Sequence, residues 1–195
     1  MNKDNDISRR IIQDGSGDKR LGIIAVCLLG FLLVAGLVAS LLWMNYDKQA
    51  QDLFYSGEAD MRRGSCAQAR EKGHKAAERM KLALQFNKFV RGETHSEIAN
   101  DTLNLARCYD LGGEWDKARD VHEQACALFL KSKGPADAEY AWSLLSFGDH
   151  YSLRRDKAKA LEYFNKALPI IVKAHGTASN EYTWTLQRIE IAKKL

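Results

Sequence analysis

GETHSEIA at 92–99, GPADAEYA at 134–141 and GTASNEYT at 176–183 follow one another at intervals of 42 residues. The same offset pairs Leu103 with Leu145, Leu105 with Phe147, Ala106 with Gly148 and Tyr109 with Tyr151. It also pairs Ala118 with Ala160, Ala125 with Ala167 and Lys131 with Lys173. Coincidences this dense at one offset define an internal repeat, and a repeat that cannot bury its apolar face alone stacks on its neighbours.

Each unit reads as two helices. Leu105, Ala106 and Tyr109 recur at helical spacing before the break at Gly112 and Gly113. A second helix is predicted from about Trp115 to Lys133, stopped by Gly134 and Pro135. The next unit predicts helices from about Asp137 to Leu153 and from about Asp156 to Ala174, with a turn at Arg154-Arg155 and a kink at Pro169. Small residues at Ala106, Ala118, Ala125, Gly148, Ala160 and Ala167 let paired helices approach closely, while Tyr109, Tyr151 and Phe164 fill the space beside them. The expected class is all-α: one N-terminal transmembrane helix followed by a superhelical solenoid.

Upstream, Ala76 and Ala83 stand 42 residues before Ala118 and Ala125, which predicts a helix over about 67–90 as the second helix of a degenerate first unit. Its partner over about 47–62 matches poorly, because Arg63 falls where a large apolar residue is expected. A continuation of the helix before it is the simplest reading. Residues 177–194 repeat a first helix only and would cap the stack.

Leu21 to Met44 holds no charged side chain. As a helix it would extend about 36 Å, enough to cross a hydrocarbon layer of about 30 Å. Lys19 and Arg20 precede it, and Trp43 and Tyr46 suit the far interface. Lys3, Arg9, Arg10, Lys19 and Arg20 outnumber Lys48, Arg62 and Arg63, which places the N-terminus in the cytoplasm and the C-terminal part outside it. Cleavage near Val38-Ala39-Ser40, a twin-arginine signal at Arg9-Arg10 and lipidation at Cys27 fit less well than an uncleaved signal anchor. The expected layout is a tail (1–20), a membrane helix (21–44), a juxtamembrane helix with a degenerate repeat (45–91), two repeats (92–133 and 134–175) and a capping helix (176–195).

Phe147, Gly148, Tyr151, Ala160, Phe164 and Ala167 resemble the signature of tetratricopeptide repeats. Leu105, Ala106, Tyr109, Ala118 and Ala125 repeat it, with His122 departing at the aromatic position. The 42-residue period is similar to the longer kinesin-light-chain type, and the resemblance covers about residues 92–195. It implies a protein or peptide partner held in an inner groove lined by the first helices: Asn100, Leu103, Asn104, Arg107, Trp142, Leu145, Ser146, Asp149, Trp184 and Arg188. Asn104 stands where the family often holds a peptide backbone, whereas Ser146 and Arg188 depart from that pattern. Trp142 and Trp184 read either as groove aromatics or as packing between helices. The positions of a chaperone-tail carboxylate clamp hold Leu103, Arg107, Leu145 and Asp149, so that clamp is absent.

Lys and Arg number 29 against 25 acidic residues, a balance that argues against a nucleic-acid binder. No nucleophile–base pair, paired carboxylates or phosphate loop is legible, so neither an enzyme nor a cofactor is expected. The five histidines, His74, His95, His122, His150 and His175, lack ligand spacing and are assigned to solvated surface or turn positions, with no metal site. Cys66, Cys108 and Cys126 are read as small packed apolar groups without a disulfide.

Overall fold

The computed structural model of the protein describes residues 4–92 and 95–195, with side chains described from Ile24 onward except that of Ser96. Lys3 of the charge count, and Glu93 and Thr94 of the repeated motif, fall outside the described residues. Every regular element among the described residues is a helix: α1 (Asp4–Arg62), α2 (Cys66–Arg91), α3 (Ser96–Gly112), α4 (Trp115–Lys133), α5 (Ala138–Leu153), α6 (Lys157–His175) and α7 (Asn180–Lys193). The chain divides into two compact units, residues 1–42 and residues 43–195.

From Asp4 onward the first unit is helical, and from Ile24 onward its large apolar side chains, among them Leu28, Phe31, Leu33 and Leu37, are exposed. The apolar stretch of this helix is long enough to cross a membrane, and none of it is buried. Length and composition suit a membrane crossing, and equally a signal segment.

The second unit is a series of helical hairpins, and local chemistry explains where each helix begins and ends. The Asp137 carboxylate accepts from the Glu139 amide at 2.8 Å to start α5, and the Asp156 carboxylate accepts from Lys159 at 3.1 Å to start α6. Ser179 Oγ accepts from the Tyr182 amide to start α7. Gly113 ends α3 with φ 76°, a left-handed turn that glycine takes without cost. At the first hairpin, Lys72 and Arg63 both pair with Asp60, at 2.6 and 2.5 Å. Those hydrogen bonds, Lys72 first, hold the Asp60 carboxyl below its usual range. α6 runs through Pro169, which sits on the exposed face.

Alanines at the 42-residue offset, Ala76, Ala83, Ala118, Ala125, Ala160 and Ala167, are all fully buried. They form the seams where helices cross. Gly148 shows how close these seams run: a Cβ there would lie 2.4 Å from the Phe164 ring. Two apolar clusters result, one built by α1 to α4 around Phe54, Met80 and Leu105, the other by α5 to α7 around Phe147, Phe164 and Ile171.

Candidate functional site: a charged groove with a buried triad beneath it

The helices that open each hairpin, together with α7, share one face, and that face carries a cavity of about 380 Å³. α1 contributes Phe54, Glu58, Met61 and Arg62, and α3 contributes Arg107, Asp110 and Leu111. α5 contributes Ser146, Asp149 and Leu153, α7 contributes Arg188, and Trp115 closes one end. Arg188 Nε donates to both Asp149 oxygens at 3.0 Å, tying α7 to α5 across the wall. Arg107 lies over the Phe54 ring at 4.6 Å and faces Glu58 at 3.7 Å. Leu153 and Met61, 60% and 40% exposed, give the cavity an apolar rim.

Four of the ten residues expected in the groove, Arg107, Ser146, Asp149 and Arg188, line this cavity. Asn104 joins Arg107 in a smaller adjoining pocket with Gln51 and Tyr55. Asn100 is exposed and Leu103 half-buried, and neither lines these cavities. Leu145 departs from the expectation: at 1% exposure it belongs to the core, because the helix turns that side chain inward onto the Phe147–Phe164 cluster. Trp142 packs half-buried against the same cluster, while Trp184 remains 48% exposed.

Directly beneath the groove, Asp110 receives two imidazoles. His122 Nε2 donates to Asp110 Oδ2 at 2.8 Å, and His150 Nδ1 donates to Oδ1 at 2.5 Å. The placement of these two histidines at solvated positions is therefore corrected, since both are fully buried. The physical reason is the carboxylate of α3, which supplies the partner a buried ring N–H needs. His74, His95 and His175 are exposed as expected. Burial works to raise the Asp110 pKa, but the hydrogen bonds from His122 and His150 outweigh it and hold the carboxyl below its usual range. His122 stacks on Phe147 at 5.2 Å, and Trp115 meets His150 edge-on at 6.3 Å.

No signal in the sequence singles out Asp110, whose repeat equivalents are Gln68 and Ser152. His122 did carry one, as the aromatic position of the signature filled by an imidazole. All four cysteines are free. Cys66 is exposed at the start of α2, where no helix covers it, which corrects its reading as a packed group. Cys108 is buried, and burial pushes its thiol up to about 12.

Residues 55–131 match the tetratricopeptide repeat family. The match begins in α1 and ends in α4, so it includes the degenerate first hairpin. No curated protein sequence matches the chain. Among solved structures, BtubC (BKLC) from P. vanneervenii is similar with a TM-score of 0.53 at 14% identity, over 80% of this chain and 71% of that one. At that identity the likeness concerns the fold alone. Beyond the N-terminal segment, the protein is an all-α helical stack whose fold is like that of tetratricopeptide repeat proteins.

Proposed function

We propose that this protein is a single-pass membrane scaffold that holds a partner protein or peptide in the groove formed by α1, α3, α5 and α7. The observation that carries the reading is the groove itself: an apolar rim at Met61 and Leu153 above a wall of guanidinium and carboxylate groups. An extended peptide has the matching chemistry, since its side chains meet the rim and its backbone meets the polar wall. Asn104, Arg107, Ser146, Asp149 and Arg188 carry the contact, with Asn100, Leu103 and Trp184 at its margins. Residues 21–44 anchor the chain, with residues 1–20 in the cytoplasm and the repeats at 92–133 and 134–175, capped by 176–195, on the other side of the membrane. The role is binding rather than catalysis.

Photo-crosslinkers placed at Ser146 and at Leu82 in intact membranes test the groove. Adducts from Ser146 that disappear with R107A or D149A support it. A second reading, a structural subunit of a larger assembly, draws on a different observation. α1 and α2 frame an open depression of about 920 Å³ lined by Leu53, Arg79 and Leu82, away from the groove. Adducts from Leu82 alone would favour that reading. Protease protection with a tag after Leu195 decides the topology: digestion from outside supports an extracytoplasmic solenoid, and protection until the membrane is opened puts the same module in the cytosol.

A further inference from the structure

We propose that Asp110, His122 and His150 form a three-ligand site for a borderline divalent cation of the zinc type. Two imidazoles and one carboxylate, each from a different helix, present ligand atoms that lie within 4.8 Å of one another. That donor set suits zinc and its neighbours, with three protein ligands and a fourth tetrahedral position left over.

At the register of His122 the flanking units place Met80 and Phe164, and at the register of His150 they place Cys108 and Ala192. All four are buried at 2% exposure or less, so the solenoid closes both positions with small or apolar side chains. The middle joint alone substitutes imidazole at both, and adds Asp110 between them. Both rings turn one nitrogen, His122 Nε2 and His150 Nδ1, onto the same carboxylate, so three ligand atoms already converge on one buried point. Asp110 also fronts the groove cavity, which gives an ion a path from solvent.

The present contacts of 2.8 and 2.5 Å are hydrogen bonds. Ligands about 2.0–2.1 Å from a tetrahedral zinc stand about 3.3 Å apart, so each imidazole must draw back from the carboxylate by roughly half an ångström or slightly more on binding. On the ion each imidazole would bind through the nitrogen that faces Asp110 and carry its proton on the other ring nitrogen. The bound ion would tie α3, α4 and α5 together under the groove.

The test uses the full chain in detergent micelles, stripped with a chelator and titrated with Zn²⁺ or Co²⁺ alone. The expected result is one equivalent bound, with visible d–d bands for Co²⁺ and a thermal midpoint that rises with metal. D110N, H122F and H150A should each weaken binding at least about 100-fold. Helical circular dichroism in chelator reports whether each variant folds. Should one of them not fold, X-ray absorption on the wild type and on H74A/H95A/H175A carries the test, with two imidazoles, oxygen ligands and no sulfur expected in both. No saturable binding, binding untouched in all three folded ligand variants, sulfur coordination, or loss of binding with the exposed histidines each overturns the proposal.

Discussion

Hairpins α3–α4 and α5–α6 set small residues at the same offsets, yet they close their seams with opposite chemistry. Between α5 and α6 the filling is aromatic: Phe147 meets Tyr163 at 4.4 Å and Tyr151 at 5.1 Å, and Phe164 lies against Gly148. Between α3 and α4 the equivalent of Phe164 is His122, hydrogen-bonded to Asp110 and through it to His150 of the next unit. One backbone accepts either closure. The aromatic seam draws on buried area alone, whereas the polar seam holds only while every partner is present. The first adds stability, and the second makes the joint depend on what the three polar groups bind.

The largest effect should come from emptying the aromatic seam. F164A removes a fully buried ring and should cost about 3–5 kcal/mol in denaturant unfolding. G148A tests the same seam from the other helix. Its methyl would intrude on the Phe164 ring, and overpacking of this kind costs about 1–3 kcal/mol. A G148A protein as stable as wild type would mean that the ring moves aside freely and that the closeness of the seam is not what glycine is there for.

The polar seam should fail differently. H122F alone leaves buried Asp110 with one donor, at a cost of about 1–3 kcal/mol. Importing the neighbouring units' residues at all three positions, in D110S/H122F/H150A, removes the charge together with its partners. That triple variant should be more stable than H122F, because a polar cluster replaced as a whole costs far less than one broken in part. Unfolding in chelator compares the two, and simple additivity of the three changes would show that the groups do not act as a cluster.

This contrast also explains what was legible in the sequence. Helix content, the hairpin order and the buried alanines follow from spacing, because small residues at a fixed offset have one mechanical use in a helical stack. The residues Arg107, Ser146, Asp149 and Arg188 were reachable by register for the same reason. Leu145 was not, since its orientation depends on how far each helix rotates about its own axis, which spacing leaves open. Asp110 and His150 lay further out of reach. Forty residues separate them, their repeat equivalents are unlike them, and only the docking of α5 on α3 brings them together.

A smaller effect sets two buried aspartates against each other. Asp101 on α3 accepts from Asn87 Nδ2 of α2 at 2.5 Å, and desolvation raises its pKa more than that bond lowers it. Asp110 is shifted the opposite way, its two imidazole donors prevailing over burial. A carboxyl whose folded pKa is raised contributes stability below its unfolded value, near pH 4, and loses it as pH rises through the folded pKa. One whose folded pKa is lowered contributes stability above that value and loses it as pH falls through the folded pKa. D101N keeps an oxygen to accept from Asn87 and removes the charge, so it should raise the thermal midpoint at pH 7 by a few degrees, with the gain shrinking toward pH 4. D110N should lower the midpoint at pH 7, with the loss shrinking as pH falls below 4. Both are read as the variant-minus-wild-type midpoint across pH in chelator. If D110N instead raises the midpoint at pH 7, as D101N should, the hydrogen bonds from His122 and His150 do not outweigh burial, and the polar seam is no better satisfied than the lone Asp101–Asn87 contact.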